Sequence, residues 1–142
     1  MKFEFLEHTA DAKFRAYGEN VDDAFINSAY AMNYILSAET KIKPLISKQL
    51  SLKSSSKINL LYDFLSEFLY LIDTESIILS NIKNLEIKNW SEDGNEFLLN
   101  CEAYFDKISN YDLSGDIKSI TYSEIEIIEK PKSVIIQIVV DI

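Results

Sequence analysis

His8, Asp11, Lys118 and Asp141 are the side chains whose types and positions bear on chemistry in this sequence. His8 is the only histidine. A single imidazole cannot assemble a zinc site, and no serine or cysteine stands in a recognisable nucleophile context. For His8, a ring hydrogen-bonded within a turn outweighs work as a general base. Asp11 stands just before a strand-like run. There an aspartate either shapes a turn through its own side chain or aims a carboxylate into a site. Cys101 is the only cysteine, which excludes an internal disulfide, a redox pair and a cysteine zinc site. Its alternating apolar surroundings mark it as a small buried hydrophobe.

Lys118 and Asp141 belong to the last two strand-like segments, 116–128 and 133–142, joined by Glu129-Lys130-Pro131-Lys132. Val134, Ile136, Ile138, Val140 and Ile142 share parity and face the core, which leaves Asp141 on the other face. In the preceding segment Ile117, Ile125 and Ile127 are the natural core positions, so Lys118 shares the opposite face with Ile120. A four-residue loop at 129–132 sets Asp141 opposite Ile120 and diagonal to Lys118. A one-residue slip would separate them, but it would also turn the Val/Ile ladder away from the core. The plain expectation is an exposed cross-strand ion pair, worth roughly a few tenths of a kcal/mol. The sequence ends at Ile142, so its carboxylate falls beside that of Asp141. Two anions so close repel unless a cation lies between them. Oxygen-only ligands favour Ca²⁺ or Mg²⁺ over zinc, although a solvated chain end is the simpler account.

These groups must be positioned by a framework that the periodicity outlines. Residues 3–6 and 13–17 read as strands. Asn20 is a plausible N-cap for an amphipathic helix over 21–37, with Asp22 and Asp23 near the positive end of its dipole. Residues 46–53 alternate as a strand. Ser55 or Ser56 then caps a second helix, about 57–73, with its stripe at Ile58, Leu61, Leu65, Phe68 and Ile72. Residues 82–90 lead into Ser91-Glu92-Asp93-Gly94-Asn95, where Asp-Gly signals a hairpin turn. Phe97, Leu99, Cys101, Ala103 and Phe105 alternate beyond it. The pattern predicts an α+β fold: two helices packed on one face of a largely antiparallel or mixed sheet, a two-layer α/β sandwich.

At 142 residues the chain suits a single domain, 1–142, and nothing in it marks a linker or repeat. Fourteen basic against 23 acidic residues give a net charge of -9. Such a chain is a poor general phosphate binder, because nucleic-acid affinity comes largely from Lys and Arg. It suits a basic protein surface or cations, beyond serving solubility. No apolar run approaches the ~20 residues needed to cross a bilayer. Lys2 and Glu4 interrupt any signal-peptide pattern, so a cytoplasmic location is expected.

The motifs resemble the archease family. Glu7-His8-Thr9-Ala10-Asp11 and Arg15-Ala16-Tyr17-Gly18 come first, then an acidic helix start running into Ala24-Phe25. Leu60-Leu61-Tyr62-Asp63-Phe64-Leu65-Ser66-Glu67-Phe68-Leu69-Tyr70 follows in the second helix. Ile117-Lys118-Ser119-Ile120-Thr121-Tyr122 and Val139-Val140-Asp141-Ile142 close the set. The blocks occur in family order and reach both ends of the chain. The chain departs at Ala12-Lys13-Phe14, where the family often has a glycine, and at Ser123, where it often has a histidine.

By that resemblance, Asp11, Lys118 and Asp141 match the family's functional positions. Asp11, Asp141 and the carboxylate of Ile142 match its calcium site, with Mg²⁺ or Mn²⁺ as alternatives. The implied role is that of a non-catalytic cofactor of the RtcB-type tRNA-splicing RNA ligase, which must be guanylylated before each ligation. Archease relatives promote that step and sustain multiple turnover, with RNA contacted only indirectly. Two rival expectations stand beside it. One is a metal-dependent phosphohydrolase or nuclease using the same carboxylates, which lacks an evident nucleophile or acid–base set. The other is a structural module that binds calcium only for stability. Oligomeric state is open.

Overall fold

The computed structural model describes residues 2–7, 11–91 and 96–142. Its elements run β1 (Phe3–Leu6), β2 (Ala12–Gly18), α1 (Val21–Ser37), β3 (Ile46–Ser54), α2 (Lys57–Glu75), β4 (Ile77–Lys88), β5 (Phe97–Lys107), β6 (Ser119–Ile120), β7 (Glu126–Lys130) and β8 (Ser133–Asp141). A 3₁₀ turn, Ile108–Asn110, follows β5. The class is α+β, and all recorded strand pairs are antiparallel. The expected single sheet resolves into two, each with its own helix. Alternation tells which side of a strand is apolar; it does not tell which strands pair. The expected turn at 91–95 falls mostly on residues 92–95, outside those described.

The first unit comprises residues 1–38 and 115–142. Its sheet runs β1-β2-β8-β6, with β7 also paired to β8. Phe14 and Ala16 of β2 lie against Ile138 and Ile136 of β8, and all four are fully buried. α1 covers this face with Ala24, Phe25, Ser28, Ala29 and Met32. Its start is set by Asn20, whose side chain accepts from the Asp23 N–H at 2.9 Å, as the sequence predicts. Each large apolar side chain sealed here contributes about 1.5–3 kcal/mol.

Two glycines hold α1 close. A Cβ on Gly18 would meet the Ala24 nitrogen at 2.4 Å, near the first turn. One on Gly115 would meet the Ile35 carbonyl oxygen at 2.0 Å, near the last. Only hydrogen fits at either place.

The second unit comprises residues 39–114. β5 lies between β3 and β4, with Leu99, Cys101, Ala103 and Phe105 buried on its inward side. α2 buries Leu60, Leu61, Phe64, Leu65, Phe68 and Leu71. Ser56 caps it, accepting from the Asn59 N–H at 3.3 Å. Burial pushes the Cys101 thiol up to about 11, the property of an inert core cysteine. Asp106, also buried, accepts from the Tyr111 hydroxyl at 2.6 Å, the Lys107 N–H at 2.8 Å and Asn110 at 3.1 Å. The Tyr111 hydroxyl in turn accepts from the Lys43 N–H at 2.8 Å. That chain of bonds ties the segment before β3 to the 3₁₀ turn.

Candidate functional site

β8 is the strand on which the candidate residues converge. On one side it pairs with β2, Ala12 facing Val140. Carried one residue further, that register sets Asp11 across from Asp141. On the other side it pairs with β6, Ser119 facing Asp141. The Lys118 N–H donates to the Asp141 carbonyl at 2.7 Å. Asp11, Lys118 and Asp141 therefore meet at one end of β8. Asp11 and Asp141 are half-buried, whereas Lys118 and Ile142 are exposed. His8 lies outside the described residues.

The expected hairpin register needs correction. The turn is tighter than a four-residue loop, because Lys130 already pairs with Ser133. Asp141 faces Ser119, not Ile120, and Ile120 faces Val140 within the core. The segment expected as one strand over 116–128 is two. Ser119 and Glu126 are seven residues apart, while their partners Asp141 and Gln137 are four apart. The excess of three residues, 7 − 4, is odd, so the face on which a given parity falls changes between β6 and β7. The break is a turn in which Ile125 N–H donates to the Tyr122 carbonyl at 3.4 Å and Glu124 takes a φ of 55°. Each short strand thereby turns its own isoleucine inward, Ile120 buried in one and Ile127, opposite Ile136, half-buried in the other. What joins Lys118 to Asp141 among the described residues is main chain, where the sequence argument expects an ion pair.

The same turn is tied down by groups that periodicity does not reveal. Thr121 donates to the Val139 carbonyl twice, from its N–H at 3.1 Å and its hydroxyl at 2.9 Å. Gln137, buried in the Ile/Val ladder, donates to the Glu124 carbonyl at 2.9 Å and accepts from Arg15 Nε at 3.0 Å. Lys13 Nζ lies 3.0 Å from the Glu124 carboxylate. A glutamine inside an aliphatic ladder is the one sequence signal for this arrangement, since a buried amide requires partners. Nearby, Tyr17 is raised above the usual phenol range, by burial first and then by its hydrogen bond to Glu4.

In donor chemistry the strand end fits a hard cation. It offers carboxylate oxygens, and the lone thiol is buried in the other unit's sheet. Among the described residues no three His, Cys, Asp or Glu side chains form a metal-holding group. Asp11 and Asp141 would thus need a further oxygen donor, such as a carboxylate or carbonyl of the main chain.

These features define an α+β protein with an acidic strand end fed from three strands. No helix among the described residues is long and apolar enough to cross a membrane. The model of the Archease protein family (MTH1598/TM1083) matches residues 3–142. Protein archease of Methanosarcina barkeri is 34% identical over 146 residues, covering 99% of this chain and 96% of the relative. That of Sulfurisphaera tokodaii is 32% identical over 144 residues, covering 99% of each. The solution structure of Methanobacterium thermoautotrophicum protein 1598 superposes with a TM-score of 0.83 at 26% identity, covering 99% of both chains. The chain belongs to the archease family.

Proposed function

We propose that this chain is a non-catalytic activator of an RtcB-type tRNA-splicing RNA ligase, promoting the ligase's guanylylation and multiple turnover in tRNA exon ligation. It works in the cytoplasm as one archease-like domain over residues 1–142. The observation that carries the reading is the meeting of Asp11, Lys118 and Asp141 at the end of β8 in an archease-family chain. An acidic tip on a chain of net charge -9 suits a visit to a basic site that handles phosphates.

In this reading Asp11, Asp141 and the carboxylate of Ile142 hold a divalent cation, Ca²⁺ first, with Mg²⁺ or Mn²⁺ as alternatives. Such a cation would offset the carboxylate charge and offer positive charge to phosphate oxygens. Lys118 orients the acids or contacts a phosphate directly. The ligase supplies the chemistry, and RNA is contacted only indirectly.

The test is a guanylylation assay with the ligase from the same organism. Wild-type protein is expected to stimulate it and Asp141→Ala to abolish stimulation with the fold retained. Full stimulation by Asp141→Ala would remove the acidic tip from the mechanism. Metal-dependent phosphate release by the purified protein alone would point instead to an enzyme.

A further inference from the structure

An aromatic surface runs beside the acidic tip. Phe5 is 43% exposed and Tyr34 of α1 is 37% exposed. With Phe3 they form a cluster whose ring centroids lie 5.8–5.9 Å apart. One helical turn back, Lys2 Nζ sits 5.7 Å from the Tyr30 ring centre. Lys2, Ile26 and Tyr30 also line a cleft of about 630 Å³. Phe3, Phe5 and Tyr34 line the groove between α1 and β1, and the cleft adjoins it through Lys2 and Tyr30.

β1 is the terminal strand of its sheet. The Tyr17 N–H donates to the Lys2 carbonyl at 2.8 Å, so Lys2 and Tyr17 form a hydrogen-bonded pair. Alternation then turns the main-chain groups of Glu4 and Leu6 toward β2, and those of Phe3 and Phe5 outward. Phe3 and Phe5 thus present rings to the groove and backbone donors and acceptors to the sheet's edge. That combination is what strand addition uses: main-chain bonds for affinity, side-chain seats for specificity.

Resting on the activator reading, we propose that the α1–β1 groove is where the ligase docks, through an extended basic segment that adds to β1. Charge selects this occupant. The chain carries a net charge of -9, and at this edge Glu4 and Glu7 outweigh Lys2, so a second copy is repelled and a basic segment attracted. Continuity supports it too. Phe5 pairs with Phe14, and Asp11 lies three residues before Phe14, just ahead of β2, roughly 10 Å at ~3.3 Å per residue. A segment seated on β1 leads toward the acidic tip.

The experiment titrates the protein against a fixed amount of ligase and reads guanylylation. Phe5→Ser and Tyr34→Lys are expected to raise the half-maximal concentration at least tenfold and leave the maximal rate unchanged. Asp141→Ala is expected to lower the maximum instead. Tyr34→Phe should titrate as wild type. Far-UV circular dichroism and melting of each variant establish that it is folded, and both positions are exposed enough to tolerate the change. Folded Phe5 and Tyr34 variants that titrate as wild type overturn the docking site and leave the activator reading intact. Absence of stimulation by wild type overturns both. A dimer in sedimentation equilibrium that Tyr34→Lys dissolves would assign the groove to a second copy and overturn the choice of ligase.

Discussion

Replacing Gly115 by alanine is expected to displace α1 from its sheet. The added methyl would lie 2.0 Å from the Ile35 carbonyl oxygen, 2.8 Å from the Leu36 Cα and 3.0 Å from the Ile35 carbonyl carbon. All three are helix main chain, so no side-chain rotation relieves the clash. Gly115 itself does not adopt the left-handed backbone that excludes other residues, so the close approach alone demands glycine. Alanine would restrict the unfolded chain and stabilise by about 0.4–1 kcal/mol at a permissive site. Overpacking against a rigid neighbour costs about 1–3 kcal/mol. The clash wins, for a net loss of roughly 1–2 kcal/mol. With a urea slope of about 1–3 kcal/mol per molar, the unfolding midpoint should fall by roughly 1 M. The assay is urea unfolding of the full chain followed by far-UV circular dichroism. Gly115 also lies three residues before Lys118, whose N–H holds the Asp141 carbonyl. Hydrogen exchange at the Lys118 amide should therefore quicken. A midpoint at or above that of wild type would refute the packing argument.

Asn20→Ala removes the α1 cap and should cost about 1 kcal/mol, read as a lower urea midpoint. Cys101 is 2% exposed with its thiol pushed up to about 11, so native protein at pH 8 should resist Ellman's reagent and react promptly once unfolded in urea. Prompt labelling of the folded form would contradict its burial. Asp106 is held below the usual carboxylate range, chiefly by the Tyr111 hydroxyl. A depressed folded pKa means its stabilisation is complete above the unfolded value and lost as pH falls through the folded one. Asp106→Asn should therefore melt lower at neutral pH and lose less on acidification than wild type. Parallel acid limbs in the two melting curves would rule this out.

Short-range pattern carries far in this chain. The helix read over 21–37 is Val21–Ser37, capped by Asn20, and Ser56 caps the second helix, Lys57–Glu75. The inward parity of β8 holds for Val134, Ile136, Ile138 and Val140, all buried, but not for Ile142, which is exposed, and Gln137 and Val139 of the opposite parity are buried too. These features follow from the sequence because periodicity and capping act within a few residues. The motif order was legible too, and with it the family.

Pairing, by contrast, was decided in three dimensions. Strand alternation is the same whether a strand joins one sheet or another, so the division into two sheets left no local trace. The register at Asp141 turned on three extra residues between β6 and β7, accommodated by a left-handed Glu124. Glutamate does not advertise that conformation as glycine or asparagine would. Asp11 reaches the end of β8 only through the β2–β8 ladder, a contact spanning nearly the whole chain. Hydrogen bonds between distant segments choose such neighbours, and their choice depends on every strand at once.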